Sequence, residues 1–226
     1  FVHAYGTKDV NYTMGYPLRI TSAYELLIQI FELCKNSYRF KAIQHSEKIR
    51  YYRKDLLAVV KNPLLVPILK DKVSEIKKLS HNPNPFVYKI DFFPNDIIFP
   101  TCQSTENFIS ELRTFFENVN QKLNAGFDKN TVEVIVEHLQ ATEELVQRFK
   151  NEGADLFAQE DYVAAAQMII NEKLSSVTIP FAGDFDQGLQ VMGLLETRTL
   201  DFKNVIVPKT FKDFEILLIN DGSTDS

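Results

Sequence analysis

Arg39, Lys41, Lys48, Arg50, Arg53, Lys54 and Lys61 fall within one short stretch, with Tyr38, Phe40, Tyr51 and Tyr52 interleaved. Cations track phosphates, and aromatic faces stack unpaired bases. The mixture therefore suits a groove for single-stranded nucleic acid. It also fits a solvated amphipathic helix whose tyrosines help close a core. Other chemistries find less in the sequence. No Gly-x-x-x-x-Gly-Lys-Ser/Thr and no Gly-x-Gly-x-x-Gly occurs. A loop for a nucleoside triphosphate is thus not recognisable. His3, His45, His81 and His138 are scattered and lack metal-ligand spacing. No Gly-x-Ser-x-Gly elbow supports a serine nucleophile.

The elements that must position these residues follow from periodicity and turn chemistry. Residues 9–16 read as a strand ending at Gly15 and Pro17. Ser22-Ala23-Tyr24-Glu25 reads as a capping box that opens a helix. Ile20, Ala23, Leu27, Ile30, Phe31 and Cys34 form its apolar stripe. A second helix is expected over 46–60, stopped at Asn62-Pro63, and a third over 64–79. His81-Asn82-Pro83-Asn84-Pro85 cannot continue a helix, because proline lacks the amide donor. Residues 86–100 read as irregular. Helices return over 105–124, 130–150 and 160–174. The first of these carries Phe108, Leu112, Phe115, Val119 and Leu123 on one face, with Gly126 past its end. Runs at 176–181, 189–195, 204–207 and 214–219 read as buried strands. A helical block bracketed by strands suggests an insertion in an α/β domain whose two flanks share one sheet.

Composition bounds the rest. The chain has 226 residues, 45% of them hydrophobic and 24% charged. Those are globular values, and at about 150 residues per domain they mean one domain or one and a half. No apolar run reaches the ~18 residues of a membrane span. No basic region followed by an apolar stretch opens the sequence. Cys34 and Cys102 are too few for a disulfide framework, so reduced thiols and a cytoplasmic setting are expected. The net charge of −5 hides a basic first half and an acidic second half. That asymmetry is compatible with a polyanion-binding face on the basic half.

Three segments carry a family resemblance. Gly188-Leu189-Gln190-Val191-Met192-Gly193-Leu194-Leu195-Glu196-Thr197-Arg198-Thr199-Leu200-Asp201-Phe202-Lys203-Asn204-Val205-Ile206-Val207 resembles the fifth conserved motif region of superfamily 1 DNA helicases. More narrowly, it resembles the AddB/RecB-type helicase–nucleases of the PD-(D/E)XK nuclease family. Asn11-Tyr12-Thr13-Met14-Gly15-Tyr16-Pro17-Leu18 resembles the strand that opens their second motor domain. Tyr51-Tyr52-Arg53-Lys54-Asp55-Leu56-Leu57-Ala58-Val59-Val60-Lys61-Asn62-Pro63 resembles a helix of the insertion that follows it. The resemblance implies a mainly α-helical insertion (helicase 2B-like) within a partial parallel α/β motor domain (2A-like). Residues 1–18 and 186–208 would form the motor part, 19–185 the insertion, and 209–226 a tail strand of unclear origin. In the family the motif-V loop touches the DNA backbone and the nucleotide ribose. Gly193 stands where a DNA-contacting Thr is usual, Leu195 where His is usual and Thr199 where Gly is usual. Arg198 matches the basic position, and Asp201 matches the Glu that faces the nucleotide. Thr13 joins the implied DNA-facing set, with Arg39, Lys41, Lys48, Arg50, Tyr51, Tyr52, Arg53 and Lys54 from the basic stretch. The implied parent acts on double-strand breaks in recombinational repair with ATP and Mg. It carries its phosphate loop upstream and its nuclease centre downstream of these residues. The implied partners are single-stranded or end-frayed DNA and a helicase–nuclease partner subunit, and no cofactor is implied for this segment itself.

Two weaker signals remain. Asp201-Phe202-Lys203, downstream of Asp184 and Asp186, resembles a carboxylate–lysine nuclease core, although acids beside a lysine are common. The tail at 209–226 resembles the second strand of family 2 glycosyltransferases, which ends in Asp-Asp-Gly-Ser-x-Asp. Asn220 replaces the first Asp, while Asp221 and Asp225 match. By that alternative, Asp221 and Asp225 would hold a nucleotide sugar.

Overall fold

The computed structural model describes residues 10–12, 15–44, 50–88, 90, 93–100, 107–152, 162–179, 189–192, 204–206 and 217–220. The chain divides into two compact units: Phe1–Pro17 with Thr178–Ser226, and Leu18–Val177. It is a mainly α-helical α/β protein.

The discontinuous unit contains a four-stranded sheet. Its strands are β1 (Val10–Tyr12), β6 (Leu189–Met192), β7 (Asn204–Ile206) and β8 (Leu217–Asn220), in the order β1-β6-β8-β7. β1 runs parallel to β6, with Val10 opposite Leu189 and Tyr12 opposite Val191. A parallel pair needs a long crossover connection, and here all of residues 13–188 supply it. β8 runs antiparallel to both β6 and β7. The sheet is therefore mixed, where a parallel one was expected. The tail strand is hydrogen-bonded on both edges, between β6 and β7.

A second ribbon in this unit pairs β2 (Tyr16–Pro17) with β5 (Thr178–Ile179) in antiparallel fashion. Gly15 is required there by close approach. A Cβ at this position would lie 2.6 Å from Thr178 Oγ1 and 2.7 Å from Thr178 Cβ.

The continuous unit is helical, and its two ends adjoin: the Leu18 amide donates to the Val177 carbonyl at 2.9 Å. A 3-10 turn at Leu18–Ile20 leads into α1 (Ser22–Gln44). The cap lies one residue earlier than the capping box suggested. Thr21 Oγ1 accepts from the Tyr24 amide at 3.2 Å and donates to the Leu18 carbonyl at 2.7 Å. Ala23, Leu27, Ile30, Phe31 and Cys34 are fully buried as one stripe. Ile20 is not part of it, because the 3-10 turn leaves it 58% exposed.

Cys34 is disulfide-bonded. The sequence holds one other cysteine, Cys102, which lies outside the described residues. A disulfide persists in oxidising surroundings, so the expectation of reduced thiols is not met.

α2 (Arg53–Val60) is shorter than the helix expected over 46–60, because Tyr51–Tyr52 form a strand, β3. Turns cover 61–69, with Pro67 among them, where a third helix was expected; proline disrupts a helix interior. A 3-10 turn at Lys70–Lys72 then leads into α3 (Val73–His81). Asn62 organises this stretch. It is 1% exposed. Its Nδ2 donates to the Ser22 carbonyl at 3.1 Å and to Gln29 Oε1 at 3.2 Å. Its Oδ1 accepts from the Leu64 amide at 3.0 Å.

α4 (Phe108–Lys122) and α5 (Phe127–Asn151) pack together, and α6 (Tyr162–Leu174) packs on α1 and α5. Four of the five residues of the predicted α4 face, Phe108, Leu112, Phe115 and Val119, are fully buried, while Leu123 is half-buried just past the helix. Phe115 meets Phe93, Phe99 and Phe116 edge-on at 5.5–5.7 Å between centroids. Such pairs add to area burial. Arg113 on α4 donates to Glu143 of α5 at 2.9 Å and also pairs with Glu117. The Glu143 hydrogen bond, ahead of Glu117, holds the Arg113 guanidinium above its ordinary pKa, with burial opposing. Leu123 closes α4, and Gly126, past its end as expected, stands directly before α5 at φ 150°.

No helix among the described residues is long and apolar enough to cross a membrane.

Candidate nucleic-acid interface

The basic aromatic stretch is split between a strand and a helix, and that split sorts its residues. β3 (Tyr51–Tyr52) pairs antiparallel with β4 (Phe86–Val87). The turn chemistry between α3 and β4 builds the partner strand. Asn82 Oδ1 accepts the Asn84 amide and Asn84 Oδ1 accepts the Phe86 amide, each at 2.9 Å. Two successive side-chain turns of this kind, with Pro83 and Pro85 excluding helix, deliver Phe86 in an extended conformation. The Arg53 amide donates to the Pro85 carbonyl at 2.8 Å and closes the ribbon against the start of α2.

Register then assigns faces, because successive side chains along a strand alternate. Tyr51 is opposite Val87, and Tyr52 is opposite Phe86. Tyr51 faces the core and is 9% exposed. Burial, and secondly the charge of Glu111, push its phenol above the ordinary value. Tyr51 is therefore a core residue and not a base-stacking one. On the other face Tyr52 and Phe86 are half-buried, with ring centroids 6.1 Å apart at 53°. One step further along the register, the Arg50 guanidinium lies 5.5 Å from the Tyr88 ring centroid. Tyr88 is 54% exposed.

Arg53 is also structural. Its Nη1 donates to the Ser80 carbonyl at 2.8 Å and, more weakly, to the Leu79 carbonyl at 3.5 Å. Both carbonyls belong to the last turn of α3, and the Asn82 amide also donates to that of Leu79 at 3.3 Å. The guanidinium thereby ties the last turn of α3, where Lys77 and Lys78 are exposed, to the ribbon. Lys54 and Lys61 are exposed on and just after α2.

The remaining sequence-derived residues are not brought to this face by anything described. Arg39 and Lys41 lie on the last turns of α1. Lys48, Thr13, Gly193, Arg198 and Asp201 lie outside the described residues, as do Asp184 and Asp186 and the alternative pair Asp221 and Asp225. Phe86 and Tyr88 were not anticipated as site residues. Their signal was the alternation Phe86-Val87-Tyr88 directly after a proline turn.

No group of three or more His, Cys, Asp or Glu residues among the described residues is placed to hold a metal. His81 and His138 each set Nδ1 2.8 Å from a carbonyl of their own helix, Lys77 and Val134 respectively.

No family model, no curated protein and no solved structure matches the chain.

Proposed function

We propose that this chain is a DNA-binding segment of an AddB-like helicase–nuclease: part of its second motor domain with the helical insertion. The observation that carries this reading is the pairing of β1 with β6. The strand segment at 11–18 and the motif-V-like segment at 188–207 resemble the same family, and their strands Val10–Tyr12 and Leu189–Met192 lie side by side and parallel. Between them the chain makes a separate helical unit whose ends, Leu18 and Val177, adjoin. An insertion into a motor sheet has that form. The excess of basic residues in the first half supports a polyanion as ligand.

On this reading the parent enzyme processes DNA ends for double-strand-break repair and recombination, using ATP and Mg. Its partners are single-stranded or end-frayed DNA and a helicase–nuclease partner subunit. The segment itself has neither a phosphate loop nor a nuclease centre, so it binds DNA without hydrolysing ATP.

The test is fluorescence anisotropy of a labelled single-stranded oligonucleotide, titrated with the chain across salt concentrations. Expected is binding at low salt whose affinity falls steeply as salt rises. No binding even at the lowest salt overturns the reading. The alternative, a glycosyltransferase strand at the C-terminus, predicts a rise in melting temperature with a uridine nucleotide sugar and Mn²⁺.

A further inference from the structure

We infer that the outer face of the β3–β4 ribbon is a stacking platform for unpaired bases of single-stranded DNA. This rests on the DNA-binding reading and names the groups that would do the binding. The face carries two aromatic levels. Tyr52 and Phe86 form the inner one, their rings held 6.1 Å apart and half-buried. Tyr88 forms the outer one, with the Arg50 guanidinium over its ring at 5.5 Å and more than half of its surface open. Tyr51, which pairs with Val87 on the opposite face of the ribbon, is buried instead, so the open aromatic surface belongs to this face alone.

The cation over the ring has a second consequence. It restrains Tyr88, so less side-chain freedom is lost when a base stacks on the ring, and it adds positive charge beside the strand. Three exposed lysines complete the complement for a polyanion. Lys54 follows the ribbon directly, and Lys77 and Lys78 belong to the helix end that Arg53 ties to it. Bases offer their faces only when unpaired, and stacking on aromatic rings tolerates any sequence. The platform therefore selects single strands over duplex and reads no sequence.

The division of labour is testable residue by residue in the full chain. The probe is a single-stranded oligonucleotide carrying 2-aminopurine, whose fluorescence is quenched on stacking, followed together with anisotropy. The wild type is expected to bind it and quench it, and to bind a duplex of the same length less tightly. Tyr88→Ala should abolish most of the quenching and weaken binding by about tenfold, the range found for losing one stacked base. Tyr88→Phe should retain both. Lys54→Ala should keep the quenching but flatten the dependence of log K on log salt by about 0.7, one single-strand phosphate contact. Tyr88 is exposed, so its far-ultraviolet circular dichroism should match the wild type and exclude misfolding as the cause. If the wild type binds but Tyr88→Ala binds and quenches equally well, the platform is refuted and the DNA-binding reading stands. If duplex binds as tightly as single strand, the platform is likewise refuted. If the wild type binds no DNA at low salt, both fall together.

Discussion

Removing the Asn62 carboxamide should be among the most damaging polar substitutions in the helical unit. Asn62 is 1% exposed and makes three side-chain hydrogen bonds, to the Ser22 carbonyl, to Gln29 Oε1 and from the Leu64 amide. Asn62→Ala leaves the buried Leu64 amide without this acceptor, which costs about 1–3 kcal/mol. Loss of the two Nδ2 bonds adds roughly 0.5–1.5 kcal/mol each. The expected sum is about 3–4 kcal/mol. For a unit of this size that corresponds to a fall in Tm of roughly 6–16 °C. Urea unfolding followed by the helical signal at 222 nm reads it as a lower midpoint with an unchanged slope.

Asn62→Asp sharpens the argument. It keeps an acceptor for Leu64 but sets a carboxylate against two further acceptors in a buried site. The folded-state pKa of that carboxyl should be raised above its unfolded value. The variant should therefore be closest to wild type at acid pH, below the unfolded carboxylate value, and lose stability as the pH rises from there through the raised folded value. A change below 0.5 kcal/mol for Asn62→Ala, or an Asp variant with no pH dependence relative to wild type, would refute the reasoning.

Four further outcomes follow from the same geometry. Thr21→Ala should cost about 1 kcal/mol through loss of the α1 cap, while Ser22→Ala should stay within about 0.5 kcal/mol in the same urea assay; equal effects would return the cap to Ser22. Gly15→Ala forces a methyl group against Thr178 and should destabilise the chain by about 1–3 kcal/mol, the usual cost of overpacking, measured by thermal unfolding. Tyr51→Phe should remove one late-titrating phenol from the absorbance titration at 295 nm; because the folded pKa is raised, the native stability that depends on the neutral phenol is present below about pH 10 and is lost as pH rises further. Alkylation of the denatured chain without reductant, read by mass spectrometry, should leave Cys34 unmodified until a reductant is added; a modified Cys34 would mean the bond does not form in solution.

The apolar stripes show how far local pattern reaches. Ala23, Leu27, Ile30, Phe31 and Cys34 on α1, and Phe108, Leu112, Phe115 and Val119 on α4, were legible from spacing alone. Burying one face at helical period is a local property of the chain. The breaks at Asn62-Pro63 and across His81–Pro85 were legible for a similar reason, since proline acts on its immediate neighbours. Boundaries were less legible where the conformation of the preceding turn decides them. The cap moved from Ser22 to Thr21 because the Thr21 hydroxyl can donate to the Leu18 carbonyl while accepting from Tyr24. Glu25 instead accepts from Gln29 at 3.0 Å.

By itself the sequence determined the helical faces, the proline-bound turns and the charge asymmetry. The tertiary structure alone decided which members of the basic aromatic stretch face solvent. Tyr51–Tyr52 became a strand because Phe86–Val87 are there to pair with them, and no local pattern names a partner so far along the chain. Once paired, the two-residue period sends Tyr51 inward and Tyr52 outward. The returning end of α3 gives Arg53 the Ser80 carbonyl to hold, and the strand beyond Phe86 sets Tyr88 beneath Arg50. Strand pairing and register are long-range choices, and neighbouring tyrosines and arginines of one chemical type take opposite roles according to them.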